Sequence, residues 1–281
     1  MKLSPRYDGP SILSFDGRAD DQLAPVTRQR RRMETMLGTL ADDEWQSPTR
    51  CEGWTIQDVI SHLVTVNSFW ETSVTAGLGG EPTRFLATFD PAAHPALMVD
   101  GMRALSPQEV FDQFVATNDK FLGAVAALDE AGWSTLAETP AGHVPIRLLA
   151  AHALWDSWVH ERDIAVPFGL TPEVEPDEVR SCLRYAAALG PALALTRGAP
   201  LAGEFAVVAG EPATNFVLEV GESVAVRDRE ATADAPCLRG GGVELVEALS
   251  IRAPLPADAP EAWYRVLEGL ATTFDAELET R

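Results

Sequence analysis

Cysteine is scarce in this chain, basic residues are few beside its acids, and no long apolar run is present. The three cysteines, Cys51, Cys182 and Cys237, lie far apart and form no CxxC pair. Such spacing excludes a disulfide framework and fits a reducing, cytoplasmic compartment. Lysine and arginine number 22 against 42 aspartates and glutamates, a net charge of −20. A surface this acidic repels nucleic-acid backbones and anionic membranes, so neither is expected as a partner. The longest apolar stretch, around residues 185–195, is interrupted by Gly190 and Pro191 and is too short to span a bilayer. The opening MKLSPRYDGPSILSFDG holds no apolar segment of signal-peptide length.

What is present suits a globular protein of two modest domains or one large one: 281 residues, 46% hydrophobic and 23% charged. Residues 1–19 carry Pro, Gly and Asp without periodicity and read as a tail or an arm over the surface. From residue 20 the pattern turns helical, with Leu23, Val26, Met33, Met36, Leu37 and Leu40 at three- and four-residue spacings. Residues 41–54 read as a loop. A second helix starts at Thr55, where Thr-Ile-Gln-Asp resembles a capping box. Its apolar stripe is Ile56, Val59, Leu63, Val66 and Trp70, with His62 at the border, and Gly77, Gly79 and Gly80 end it. After a long connection, Ser106-Pro-Gln-Glu109 opens a third helix. A fourth runs from about residue 145 to 166. Four amphipathic helices over residues 20–170 predict a four-helix bundle. Residues 171–281 change character: one more helix, three β-rich runs (EFAVVAG, TNFVLEVG, SVAVRDRE) with Gly-Glu turns, and two closing helices. This predicts a small α+β domain, and the fold class as a whole is α+β.

The fourth helix carries the chemistry. In LLAAHALWDSWVHERDI (residues 148–164), His152, Asp156, Val159, His160 and Asp163 share one sector with Leu148 and Leu149. A sector both apolar and acidic faces inward only if its carboxylates find partners, either a metal ion or arginines such as Arg147 or Arg162. Asp156 and His160 are about one turn apart and project from one face. His152 and His160 are separated by about 12 Å of helix rise, too far to share one ion. A third ligand must come from elsewhere, and His62 is the best placed by pattern; His94 and His143 read as loop residues. Two histidines and a carboxylate make a metal site with open positions. Spacing alone also allows a hydrogen-bonded core histidine and a local Asp–His ion pair.

RCEGWTIQDVISHL (residues 50–63), preceded by LADDEWQSPT, and LWDSWVHERDI (residues 154–164) resemble two signatures of the mycothiol-dependent maleylpyruvate isomerase family, within the DinB-like four-helix-bundle superfamily. The resemblance implies a divalent metal, usually zinc, held by His62, Asp156 and His160. The family's usual Glu is the shorter Asp156 here, which moves the ion nearer the helix axis or changes its denticity. Asp163 would orient a liganding imidazole from outside. The second domain is implied to resemble sterol carrier protein folds. ELVEALSIRAP (residues 244–254) resembles a family run ending in Gly-Arg, which places Arg252 at an arginine implicated in catalysis or anion binding, with Ile251 where the glycine stands.

The implied activity acts on a small molecule. The metal lowers the pKa of a low-molecular-weight thiol, mycothiol by family, and the thiolate adds to a cis double bond conjugated to a carbonyl. Rotation and elimination give the trans isomer; in a transferase the thioether or displacement product is kept. Cys51 reads as a buried structural thiol, and none of the three cysteines reads as the nucleophile. Two other classes stay open. One is a thiol-independent metalloenzyme, a hydrolase or an Fe(II) oxygen enzyme. The other is a non-catalytic module clasping a hydrophobic small molecule. The long loop of residues 79–106 is expected to act as a lid.

Overall fold

The structure, a computed structural model, describes residues 2–18 and 21–278. A short strand, β1 (Leu13–Phe15), precedes the first helix, α1 (Leu23–Leu37). Helix α2 (Ile56–Leu78) begins at a full capping box. The Thr55 hydroxyl accepts from the Asp58 backbone N–H at 3.2 Å, and the Asp58 carboxylate accepts from the Thr55 N–H at 3.1 Å. Two first-turn amides are thereby satisfied. The following connection holds a short helix, α3 (His94–Asp100), so His94 opens a helix instead of sitting in a loop. Helix α4 (Pro107–Ala126) starts on the Ser106–Glu109 box, with Pro107 at its first position. A one-turn α5 (Glu130–Ser134) leads into the hairpin β2 (Leu136–Thr139) and β3 (Gly142–Pro145), which places His143 on a strand. Helix α6 (Ile146–Ala165) follows directly.

Helices α1, α2, α4 and α6 form the bundle, packed through Met33, Val59, Ile60, Leu63, Phe114 and Ile164. Helix α6 is unlike the other three. Only Arg147 and Asp156 along it are not buried. It contacts α1 and α2 on one side and α7 (Pro176–Thr196) on the other, so it has no solvent face.

The C-terminal half contains α7, then β4 (Gly203–Ala209), β5 (Thr214–Val220), β6 (Val224–Arg227), β7 (Cys237–Gly240), α8 (Gly242–Leu249) and α9 (Ala262–Phe274). Its sheet has the order β1-β6-β5-β4-β7. The central three strands are antiparallel, while β1 runs parallel to β6 and β7 parallel to β4. The N-terminal segment is therefore not just an arm over the surface. Ile12 and Leu13 are buried, and Leu13 pairs with Val224 as the edge of a sheet built two hundred residues later. Three residues are too few for a periodicity, which is why the pattern of residues 1–19 carried no sign of a strand. The expected boundary at residues 19 and 20 lies outside the described residues.

Gly190 and Pro191 do not break α7. A Cβ on Gly190 would lie 2.3 Å from the Val266 carbonyl oxygen, so the glycine admits the backbone of α9 into direct contact. The long connection after α2 is tied down at both ends, its later part by Arg103 to Asp58 at 3.0 Å and its beginning by Glu138. Glu138, fully buried on β2, accepts hydrogen bonds from the Thr83 hydroxyl at 2.7 Å and from the Phe85 and Leu86 N–H groups at 2.9 and 2.8 Å. The Tyr7 hydroxyl donates to the same carboxylate at 2.6 Å. The Glu138 backbone is itself bonded to Ser73, about 16 Å along α2 from His62. The first half of the connection is thus fastened near the far end of the helix.

Candidate metal centre

His62 projects from α2, and Asp156 and His160 from α6. One ligand atom from each lies within 4.8 Å of the other two. His160 Nε2 is 3.7 Å from Asp156 Oδ1, and the two imidazoles meet edge to face with centroids 5.1 Å apart. Trp54, from the loop before α2, flanks His62 at 5.5 Å between ring centroids. The second carboxylate oxygen of Asp156 is buried and has no hydrogen-bond partner among the described residues. A buried carboxylate oxygen without a donor is costly, and a cation is the partner this arrangement suits. Two nitrogens and a carboxylate converging on an orphaned oxygen fit a divalent metal. Burial pushes the His62 imidazole down to about 4, leaving it neutral with a lone pair to donate.

His160 behaves differently. Burial alone would lower it, but its hydrogen bond to Asp163 and the neighbouring Cys51 and Asp156 hold it up at about 10. Its Nδ1 is 3.0 Å from Asp163 Oδ2, so the other ring nitrogen is turned toward Asp156. A cation at that nitrogen would displace its proton.

Asp163 is fully buried and is the hub of the polar cluster. Its carboxylate accepts from Arg50 Nε at 3.0 Å, from Arg252 Nε and Nη2 at 3.0 and 2.9 Å, and from the Cys51 thiol at 3.2 Å. Burial opposes its ionisation, but His160 and Arg252 hold it well below the usual carboxylate range. Arg252 reaches it because Ile251 takes a left-handed conformation, φ 56°. A β-branched residue is rare there.

Three sequence expectations change here. Arg147 bonds the carbonyls of Phe15 and Gly17, and Arg162 stacks on Trp158 at 3.4 Å; the carboxylate partners are Arg50 and Arg252 instead. Cys51 is half-buried inside the polar cluster and not a core thiol, with Sγ 3.7 Å from His160 Nδ1. Arg50, Cys51 and the α8 residue Glu247 were missed as site residues. The first two stand in the RCEGW motif, but nothing in a loop sequence tells which side chains turn inward. Cys51, His160 and Asp163 also have metal-ligating atoms within 4.8 Å of one another. Two guanidiniums already occupy Asp163, however, and repel a cation there. The His62 cluster is the better site.

The remaining histidines stand apart. His152 Nδ1 is 2.6 Å from the Tyr185 hydroxyl, and its ring packs among Trp70, Trp155 and Tyr185. His143 Nε2 is 2.8 Å from the Thr83 carbonyl, and His94 accepts from the Asp90 N–H. Cys182 is buried on α7, and Cys237 is half-buried on β7.

The molecule is thus a helical bundle with a two-histidine, one-carboxylate cluster, joined to a sheet-containing domain that lends Arg252. Residues 26–165 match the mycothiol maleylpyruvate isomerase N-terminal domain, and through it the chain belongs to the mycothiol-dependent maleylpyruvate isomerase family. The crystal structure of the mycothiol-dependent maleylpyruvate isomerase shares the fold, with a TM-score of 0.61 at 15% identity over 87% of this chain and 92% of that one. A histidine-to-alanine mutant of that enzyme gives 0.60 at 15% identity, over 85% and 91%. Uncharacterized proteins from two strains of Mycobacterium tuberculosis, CDC 1551 / Oshkosh and ATCC 25618 / H37Rv, are each 24% identical over 162 residues. Those matches span 58% of this chain and 58% of the relatives' length. Among the described residues no helix is long and apolar enough to cross a membrane.

Proposed function

We propose that the chain is a cytoplasmic, divalent-metal-dependent enzyme, loaded with zinc, that uses mycothiol or a similar small thiol. The thiol adds to an unsaturated or electrophilic small molecule, as in cis–trans isomerisation of a maleylpyruvate-type acid or in S-transfer. The observation that carries this reading is the convergence of His62, Asp156 and His160 around the unpartnered Asp156 oxygen. The metal would supply the charge that keeps the incoming thiol ionised near neutral pH. His62 offers a neutral imidazole, and Asp163 holds the His160 ring through Nδ1. Arg252, whose Nη1 makes no hydrogen bond among the described residues, is the group for a substrate carboxylate, which a guanidinium binds as a fork.

The isomerisation balances without a net change in the thiol. Sulfur bonds to one alkene carbon, and the electron pair of the double bond moves toward the conjugated carbonyl. The resulting single bond rotates, the pair returns, and the thiolate leaves from the trans product. In S-transfer the carbon–sulfur bond is kept, and the enolate carbon takes a proton from solvent or, in a displacement, the leaving group departs with its bonding pair.

Elemental analysis of the purified protein beside His160→Ala and Asp156→Ala is the deciding experiment. The expected result is about one zinc per chain, lost in both variants, with turnover of cis-unsaturated keto acids that requires added thiol. Equal metal in the variants would overturn the reading. Iron with thiol-independent turnover would replace it with oxygen chemistry.

A further inference from the structure

Four charged side chains join the two halves of the molecule beside His160. Arg50 sits in the loop before α2, and its two terminal nitrogens reach both oxygens of Glu247 on α8, at 2.6 and 3.1 Å. Its Nε donates to Asp163 at 3.0 Å, and its backbone N–H donates to the Asp163 carbonyl, also at 3.0 Å. Arg252 comes from the other half and crosses in the opposite direction to Asp163. The two guanidiniums offset the charge of the two carboxylates, which shelter from solvent would otherwise make costly. Asp163 is wholly buried, and the Arg50 and Arg252 side chains are only 24% and 29% exposed.

The two arginines have different work to do. Every nitrogen of the Arg50 guanidinium is already engaged, so it has little left to offer a ligand. Arg252 keeps Nη1 uncommitted among the described residues. Arg50 also grips Asp163 through both main chain and side chain. Asp163 in turn accepts from His160 Nδ1, the contact that decides which ring nitrogen faces Asp156. Such outer partners fix the orientation of a liganding imidazole and are felt in cation affinity.

We propose that Arg50 is a positioning residue for the metal centre, with Glu247 as its anchor. It holds the Asp163 carboxylate against His160, so the docking of α8 on the bundle sets the His160 ring. A lysine could not replace it, because one ammonium cannot span Asp163 and both Glu247 oxygens. This inference rests on the reading of His62, Asp156 and His160 as metal ligands.

The test is a titration of metal-stripped full-length protein with Co2+, read by its visible absorption. It uses the wild type, Arg50→Met, Glu247→Gln and the double variant. Each single variant is expected to bind Co2+ about tenfold more weakly. The double variant is expected to be no weaker than Arg50→Met, since the pair acts as one unit. The unfolding midpoint of the stripped Glu247→Gln protein should stay near the wild-type value, which separates positioning from a general loss of structure. Glu247→Gln preserves size and shape, so it decides the matter even if Arg50→Met does not fold. Wild-type affinity in Glu247→Gln, or strictly additive losses in the double variant, would overturn the proposal alone. A wild type that binds no Co2+ would overturn both it and the metal reading.

Discussion

His152 makes the stability of this protein sensitive to mild acid in a way that can be isolated. Its imidazole is 6% exposed, enclosed by Trp70, Trp155 and Tyr185, and burial pushes it down to about 4. In the unfolded chain it titrates near the ordinary value of about 6.5. Between those two values the unfolded state carries a proton that the native state refuses, so stability falls as pH falls through that window. The full shift corresponds to about 3 kcal/mol, of which about 2 kcal/mol is expressed between pH 7 and pH 4.5. His62 is depressed as well and contributes its own loss. The comparison must therefore be between the wild type and His152→Gln, which removes one titrating group and leaves an amide for the Tyr185 hydroxyl. Urea unfolding of chelator-treated protein across pH 7 to 4.5 is the assay. The variant should be the less stable at pH 7, through lost packing, and the gap should narrow by about 2 kcal/mol at pH 4.5. Parallel stability curves over the whole range would refute the argument that His152 is buried neutral.

Two more expectations follow from particular contacts. Cys51→Ser should keep its dependence on added thiol and lose less than about tenfold in turnover, because Cys51 lends Asp163 one hydrogen bond among several; complete loss in a steady-state assay would make Cys51 itself the nucleophile. Glu138→Ala should cost at least about 3 kcal/mol, since it strands the Tyr7 and Thr83 hydroxyls and two backbone N–H groups. Limited proteolysis should then cut within residues 80–90 while metal content stays unchanged, and resistance equal to wild type would count against the fastening role of Glu138.

Local signals along the chain were enough to locate the long helices. The Thr55–Asp58 and Ser106–Glu109 boxes mark where α2 and α4 begin because capping is satisfied within four residues. The four-residue step from Asp156 to His160 likewise follows from helix geometry alone, as does the exclusion of His152 from the same ion. The strands β4, β5 and β6 show as β-rich runs between Gly-Glu turns. By contrast, the short β1 and the β2–β3 hairpin have too few residues to display a period.

At the centre itself, sequence determined which side chains share a face of α6, and the pattern of α2 favoured His62 over the other histidines, a choice the family resemblance repeated. Tertiary structure alone decided what surrounds them. That Asp163 meets Arg50 and Arg252 and not Arg162, that Glu247 anchors Arg50 from another domain, and that Cys51 lies within the cluster are contacts across 89 to 201 residues of chain. Helical periodicity acts over one or two turns and is written in neighbouring residues. The neutralisation of a buried carboxylate is settled only when distant segments are packed together, because any arginine of sufficient reach could in principle supply the charge.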